Sequence, residues 1–120
     1  MSQAGSQAWA FYREVAKNRI VWTVRDEDSF PAPKTSDGSR AQPFWSSRSR
    51  VERIIKMVPA YEGFKPYEIT WEEFCSHWVP GLTKDNIKAG INWSGKKAVG
   101  YDIEADKVVE YVEAVITNPQ

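Results

Sequence analysis

Hydrophobic and polar positions recur with two different periods along the chain, and the changes of period mark the expected helices and strands. Apolar residues recur at helical spacing in four segments, each of which predicts an amphipathic helix. These segments are residues 6–18, 49–58, 71–78 and 104–117. Between them, β-branched and aromatic residues predict strands at 19–25 and 67–70, and a hairpin of 89–93 with 98–101.

The first predicted helix has one apolar stripe, with Trp9 at its flank. The stripe consists of Ala8, Phe11, Tyr12 and Val15. Residues 1–5 before it are small and polar, and we expect them to be disordered. The strand at 19–25 carries apolar residues on both faces, so we expect both of its faces to be covered.

The segment 26–42 has the composition of an irregular connection. It contains Pro31, Pro33 and the dipeptide Asp37-Gly38. Because Asp-Gly is a strong hairpin signal, we interpret residues 28–34 and 39–45 as a weak hairpin about it. The alternative is a mobile loop.

Capping patterns and prolines set the expected ends of the two middle helices. Residues 49–52 and 70–73 both have the spacing of a capping box, which satisfies free N–H groups in the first turn of a helix. A proline inside a helix removes a hydrogen bond and clashes with the preceding turn. We therefore expect Pro59 to end the first of these helices and Pro80 to end the second.

The order of elements is helix, strand, weak hairpin, helix, short strand, helix, hairpin, helix. Strands and helices do not alternate at the spacing of parallel crossovers. This order predicts an α+β fold with a small, mainly antiparallel sheet and about four helices packed on it. The length of 120 residues fits one domain that spans residues 1–120.

Aromatic residues are abundant, whereas the residues that usually carry chemistry near neutral pH are scarce. The chain has six Trp, five Tyr and five Phe, but one Cys and one His. Cys75 and His77 are two positions apart on a predicted helix, so their side chains point to nearly opposite sides. Neither residue has the spacing of a zinc site. We therefore expect no metal and no cofactor, and we favour a binding protein over an enzyme.

Overall charge and apolar content narrow the expected partners. Basic and acidic residues balance at sixteen each, so no net field attracts nucleic acid or an anionic membrane. No apolar run reaches the roughly 18 residues of a membrane span, and a lone cysteine suits a reducing compartment. We expect a cytoplasmic protein that binds neither nucleic acid nor a membrane.

Two segments carry opposite local charge. Residues 40–56 have five cations against one Glu, and residues 102–113 are locally acidic. In the basic segment, Arg48, Arg50 and Arg53 lie near serine hydroxyls and a predicted helix N-terminus. This combination predicts an anion site for a phosphate or for the carboxylates of a partner. The alternative is that both segments are solvated helix faces.

A second group of candidate residues is aromatic. Trp45 and Trp93 lie beside turn residues, and together with Tyr61, Phe64 and Tyr67 they are interpreted as the frame of a groove. Aromatic and arginine side chains are the usual energetic anchors of protein interfaces. The alternative places these rings at the rim of the core. The predicted partner-binding residues are Trp45, Arg48, Arg50, Arg53, Tyr61, Phe64 and Trp93.

Several spaced motifs resemble a family of small bacterial proteins known only as a domain of unknown function. The motifs are Ile20-Val21-Trp22, Pro43-Phe44-Trp45, Trp71-Glu72-Glu73-Phe74 with Trp78-Val79-Pro80-Gly81-Leu82, and Asn92-Trp93-Ser94-Gly95 with Gly100. The resemblance covers about residues 19–112, with Asp85-Asn86 where the family pattern has Asp-Gly. It implies a bacterial, soluble, single-domain protein with no established reaction.

These observations together predict a non-enzymatic module that binds another protein. Neutralisation of a toxin, as immunity proteins perform it, is one concrete version of this function. A binder of a small anionic ligand or nucleotide is the alternative. A carboxylate-based enzyme is the third class, and it requires acidic side chains that converge across a cleft.

Overall fold

The elements follow the predicted order in a computed structural model, which describes residues 3–119. The helices and strands are α1 (Gln3–Asn18), β1 (Ile20–Arg25), β2 (Arg40–Phe44), α2 (Arg48–Met57), β3 (Lys65–Thr70), α3 (Trp71–Glu73), α4 (Val79–Lys84), β4 (Ile87–Ser94), β5 (Val99–Ile103) and α5 (Ala105–Thr117). A 3-10 turn at Pro59–Tyr61 follows α2, and a π-helical turn at Phe74–Trp78 joins α3 to α4. The predicted α+β class is confirmed. No helix in the described range is long and apolar enough to cross a membrane.

The strands form two small sheets whose pairing is mostly antiparallel. β1 pairs with β3 in antiparallel register. In the other sheet, β4 lies between β2, which is parallel to it, and β5, which is antiparallel to it. Trp22 and Trp45 exchange two backbone hydrogen bonds of 2.8 and 2.7 Å across the gap between the sheets. This bridge joins the two sheets to each other.

Two clusters of buried side chains cover opposite faces of the strands. The larger cluster packs α1, α5 and the helical segment 71–84 against one face, and the smaller one packs α2 against the other. Phe44 belongs to the larger cluster and Trp45 to the smaller, because successive strand residues point to opposite faces. Val21 and Val24 are likewise divided between the clusters. The prediction that β1 is covered on both faces is therefore confirmed.

Of two expectations about irregular segments, one needs correction and the other is met in part. Residues 3–5, expected to be disordered, are part of α1, and residues 1 and 2 lie outside the described range. The weak hairpin expected about Asp37-Gly38 is present only in a short form. Lys34 and Arg40 form an antiparallel bridge, and the N–H groups of Thr35 and Ala41 donate to the carbonyls of Ser39 and Pro33. The main partner of β2 is β4, and this pairing buries its apolar residues.

The caps of the middle helices agree only in part with the sequence patterns. Thr70 caps α3 as predicted, since its hydroxyl accepts a 3.1 Å hydrogen bond from the N–H of Glu73. The capping box predicted at Ser49 is wrong. Ser47 caps α2 instead, with extended backbone, and its hydroxyl accepts from the N–H of Arg50 at 3.3 Å.

The helical segment 71–84 continues through Pro80, contrary to the prediction that it ends there. In a regular α-helix the ring of Pro80 would clash with the carbonyl four residues earlier. The π-helical turn widens the helix just before this position, and the N–H of Val79 donates to the carbonyl of Phe74, five residues back. Pro80 then lies in the first turn of α4, where its missing N–H breaks no bond.

The indole of Trp93 packs directly against two glycines. A Cβ atom at Gly90 would overlap this ring, and one at Gly100 would lie 3.1 Å from it. The register of β4 and β5 shifts between Ile91 and Ser94, and this irregularity directs Trp93 into the smaller core. Gly90 and Gly100 therefore leave the space that one buried tryptophan, Trp93, occupies.

We predict that Gly90→Ala lowers the free energy of unfolding by about 1–3 kcal/mol, since its methyl group must displace a closely packed indole. Gly81→Ala is the matched control, because an added Cβ there meets no atom within 4 Å. Because alanine favours a helix by up to about 1 kcal/mol relative to glycine, Gly81→Ala should not lower the free energy of unfolding. Urea unfolding measures both variants, and wild-type stability in Gly90→Ala would contradict this packing of Trp93.

Candidate functional site

The four aromatic side chains predicted to bind a partner lie together, but they belong to the smaller core. Trp45 is fully buried, Tyr61 and Trp93 are 6% and 5% exposed, and Phe64 is half-buried. Tyr61 packs edge-on against Trp45 and Phe64, with ring centroids 6.5 and 5.6 Å apart. The structure thus corresponds to the alternative interpretation, in which these rings supply core packing rather than the exposed frame of a groove.

The three predicted arginines have separate environments. Arg48 is exposed, lies 3.7 Å from Glu52 and places its guanidinium 5.8 Å from the ring centroid of Trp22. Arg50 and Arg53 line one cavity of about 170 Å³. Arg50 is already neutralised by a carboxylate from α1. The predicted cluster of three cations does not form a common anion site in the described part of the chain.

That carboxylate belongs to Glu14, which forms a two-point ion pair with Arg50. Arg50 Nη2 and Nε donate to its two oxygens at 2.9 and 3.2 Å, and Nη1 donates to Gln7 Oε1 at 2.6 Å. The hydroxyl of Ser46 donates to Glu14 at 2.7 Å, and the Ser46 N–H donates to Asn92 Oδ1 at 3.0 Å. This polar network fastens α1 to α2 and β4, so Arg50 has a clear structural role.

An exposed aromatic surface lies elsewhere, between α1 and α5. Trp9 and Tyr111 are 41% and 43% exposed, and they flank Tyr12, whose ring centroid is 5.3 Å from that of Tyr111. Together with three further α5-side residues they line a groove of about 380 Å³. We call this the helix groove; its lining is Trp9, Tyr12, Tyr111, Ala114, Val115 and Asn118.

Tyr12 forms the buried part of this groove. Burial, and then the charges that Tyr111 and Tyr101 would carry, raise the pKa of Tyr12 to about 12. Tyr101 is itself 46% exposed, so it extends the aromatic surface on this side. The Tyr12 hydroxyl stays protonated at neutral pH and keeps its hydrogen-bond donor.

The helix groove continues into a basic depression. This second depression has a volume of about 570 Å³ and shares Val115 with the groove. Arg13, Lys17 and Arg19 line it, and we call these three residues the cationic end. Glu14 lines it too, but Arg50 neutralises that carboxylate. Within residues 3–119, none of the three cations forms an ion pair.

The sequence predictions missed this surface, although two signals of it were present. Trp9 lies at the flank of the apolar stripe of α1, and Tyr111 lies outside the buried stripe of α5. A large aromatic residue that lies outside the buried stripe of its helix does not point into the core. What the sequence did not show is that α1 and α5 are neighbours, which brings the two rings together.

The side chains considered for catalysis have structural or local contacts. Cys75 is half-buried, and burial followed by the charge of Glu113 raises the pKa of its thiol, which disfavours the reactive thiolate. His77 Nδ1 lies 2.8 Å from the hydroxyl of the neighbouring Ser76. In the range 3–119, no three side chains of the metal-binding types are grouped closely enough to hold an ion.

The family assignment follows from a match to a known family model. Residues 8–111 match the family described as protein of unknown function (DUF2750). Since this match covers most of the chain, the protein belongs to the DUF2750 family. The resemblance seen in the sequence motifs is thereby confirmed. No curated protein matches the chain significantly. The matched range includes both Trp9 and Tyr111.

The ion pair between Glu14 and Arg50 should make a contribution to the stability of the fold that depends on pH. Burial raises the pKa of Glu14, but hydrogen bonds from Arg50 and Ser46 and the Arg50 charge lower it more, to below its ordinary value of 4.5. The pair therefore stabilises the fold above about pH 4.5, and this stabilisation is lost as the pH falls through the lowered folded-state pKa. We expect Glu14→Gln to cost about 1 kcal/mol at pH 7, because solvent screens this partly exposed pair.

Urea unfolding of the wild type and of Glu14→Gln at a series of pH values tests this expectation. The difference in stability should shrink as the pH falls below 4.5. Glu52→Gln is the matched control, since 57% of that side chain is exposed and its pairing with Arg48 should contribute little. A stability difference for Glu14→Gln that stays constant into the acid range would contradict the account.

Proposed function

We propose that this DUF2750 protein is a non-enzymatic module that binds another protein through the helix groove. The observation that most supports this proposal is the pair of exposed rings, Trp9 and Tyr111, on either side of Tyr12. Tryptophan and tyrosine are the commonest energetic anchors of protein interfaces because they bury a large area with few rotatable bonds. Grouped exposed apolar side chains are typical of interaction sites on soluble domains.

The charge beside the groove supports one chemistry for the proposed partner. The groove offers an apolar slot, and the cationic end offers Arg13, Lys17 and Arg19, none of which forms an ion pair in the described chain. A complementary segment carries an apolar or aromatic side chain and, next to it, two or more carboxylates. We therefore propose an acidic segment of another protein as the occupant.

Toxin neutralisation is one use of such a site. An immunity protein covers a surface of its toxin, and an aromatic slot with a cationic end would suit an acidic part of that surface. We propose the cytoplasm as the compartment, because the one cysteine is unpaired. This version predicts a single stoichiometric partner that contacts Trp9.

Selection from a library of random displayed peptides tests the proposal directly. We expect the purified protein to enrich peptides in which an aromatic or aliphatic residue stands beside Asp or Glu. Trp9→Ala and Lys17→Gln should each weaken a selected peptide about tenfold, since each removes one anchor. Isothermal titration with the purified variants measures these affinities.

The chain offers closely matched controls for both substitutions. Met57→Ala removes an apolar side chain of equal exposure, 42%, from α2. Lys56→Gln removes a lysine from the last turn of α2, as Lys17→Gln does from α1. Both controls should bind as the wild type does. Enriched peptides without acidic residues, or equal binding by Trp9→Ala, would refute the proposal.

The alternative function, binding of a small anionic ligand or nucleotide, has an observation of its own. The depression at the cationic end lies next to aromatic rings on which a base could stack. A set of nucleoside phosphates, tested by thermal shift in the same variants, distinguishes the two functions. A nucleotide that stabilises the wild type but not Trp9→Ala or Lys17→Gln would favour this alternative over the peptide site.

A further inference from the structure

A further cavity, of about 350 Å³, is separate from the helix groove and its cationic end. Its apolar walls include Val58 and Trp93, and its polar lining includes Tyr61 and Asp102. We call it the Asp102 cavity. It shares no lining residue with the helix groove. Tyr101 and Asp102 are neighbours on β5 and point to opposite faces, and of the two only Asp102 lines this cavity.

Tyr61 provides the first sign that this cavity binds a molecule. Tyr61 is 6% exposed, yet its hydroxyl forms no hydrogen bond to residues 3–119. In that range, every side-chain oxygen or nitrogen that is closed off from solvent has a hydrogen-bond partner. Since the Tyr61 hydroxyl has none, it must be in contact with accessible space. Tyr61 lines the Asp102 cavity. A largely buried phenol usually has a hydrogen-bond partner, and a molecule bound in the cavity that Tyr61 lines can supply one.

Asp102 provides the second sign. Its Oδ1 accepts a 2.8 Å hydrogen bond from the indole N–H of Trp93, while Oδ2 makes no hydrogen bond or ion pair in the described chain. Burial raises the pKa of Asp102, the Trp93 bond lowers it, the charge of Asp37 raises it and that of Lys88 lowers it. The net shift is upward. A partly buried carboxylate with one free oxygen gains most from a cationic donor.

Two lysines supply the opposite charge at the same cavity. Lys34 and Lys97 both line it, and neither forms an ion pair within the described residues. A ligand bound here contacts the carboxylate of Asp102 and the phenol hydroxyl of Tyr61. It also contacts two ammonium groups and the apolar walls. The volume lies at the lower end of the range for small-molecule sites, which is about 300–1,000 Å³.

We propose that the Asp102 cavity binds a small zwitterion of the amino acid class. Its ammonium group would donate to Asp102 Oδ2 and the Tyr61 hydroxyl, and its carboxylate would pair with Lys34 and Lys97. Its apolar side chain would pack against Val58 and Trp93. This site is independent of the proposed peptide binding, because it uses none of the residues of the helix groove.

Titration of the ¹⁵N-labelled protein with single amino acids tests the proposal. Leucine and phenylalanine are the first probes, at up to about 10 mM, which reveals even millimolar dissociation constants. We expect shifts of the amide signals of Asp102, Lys97 and Tyr61 with at least one of them. Phenethylamine and 3-phenylpropionate each lack one charge of phenylalanine, and both should bind at least about tenfold more weakly.

Three variants test the named groups without breaking the fold. Asp102→Asn removes the charge but keeps an oxygen acceptor for the Trp93 indole, and it should lower affinity about tenfold or more. Tyr61→Phe removes a hydroxyl with no protein partner, so affinity should fall while the unfolding midpoint stays unchanged. Lys97→Gln should weaken the zwitterion and leave phenethylamine unaffected.

Matched controls lie close by in the sequence. Lys96→Gln and Asp106→Asn change neighbouring residues of the same type that do not line the cavity, and both should bind as the wild type does. Absence of any shift with all twenty amino acids would overturn the proposal. Equal affinity in Asp102→Asn and the wild type, or equal binding of 3-phenylpropionate and phenylalanine, would overturn it too.

Discussion

The backbone bridge between Trp22 and Trp45 is the contact on which the rest of the structure depends. Its two hydrogen bonds join the sheet of β1 and β3 to the sheet of β2, β4 and β5. The hydroxyl of Thr23 adds a buried 2.7 Å hydrogen bond to the carbonyl of Pro43 at the same joint. Without this joint, each sheet would present unpaired backbone groups to the interior, and burying such groups unpaired is costly.

Trp45 also holds the smaller core in place through its side chain. Its indole N–H donates to the carbonyl of Trp93 at 2.9 Å, and the indole of Trp93 in turn donates to Asp102 on β5. A chain of hydrogen bonds thus runs from the joint to β5. Since Phe44 enters the larger core, the Pro43-Phe44-Trp45 motif helps to build both cores.

The two proposed sites are consequences of this architecture. The larger core packs α1 beside α5, and their outer edges leave Trp9 and Tyr111 uncovered. The Trp93 indole binds one oxygen of Asp102, and Asp102 lines the cavity of the second proposed site. The spaced motifs contribute several of the largest buried side chains, including Phe44, Trp45 and Phe74, whereas Trp9, Tyr111 and Lys97 lie outside those motifs.

Local periodicity was enough to predict most elements of the fold. The antiparallel hairpin of β4 and β5 and the stripe of α5 depend on nearby residues, so their patterns are visible in the sequence. The parallel pairing of β2 with β4 is different, because it joins residues about fifty positions apart and leaves no local turn signal. The passage of the helix through Pro80 likewise depends on a π-helical turn, for which the sequence has no periodic signature.

The candidate sites were harder to predict for the same reason. Arg50 looks like an anion ligand in the sequence, but folding supplies it with Glu14, 36 positions away. Trp45 and Trp93 look like surface anchors because they stand beside turns, yet the strand irregularity and the two glycines direct Trp93 inward. The exposure of an aromatic ring depends on the tertiary structure around it. A single sequence shows only whether the residue lies within or outside the apolar stripe of its helix or strand.

Native-state hydrogen exchange of the tryptophans tests the central role of the joint most directly. We predict that the backbone N–H groups of Trp22 and Trp45 and the Trp45 indole N–H exchange only through global unfolding. Their opening free energies should then equal the free energy of unfolding measured with denaturant. The exposed Trp9 indole, in the same spectrum, should exchange far faster. Exchange of the joint at a clearly lower free energy than global unfolding would contradict the account.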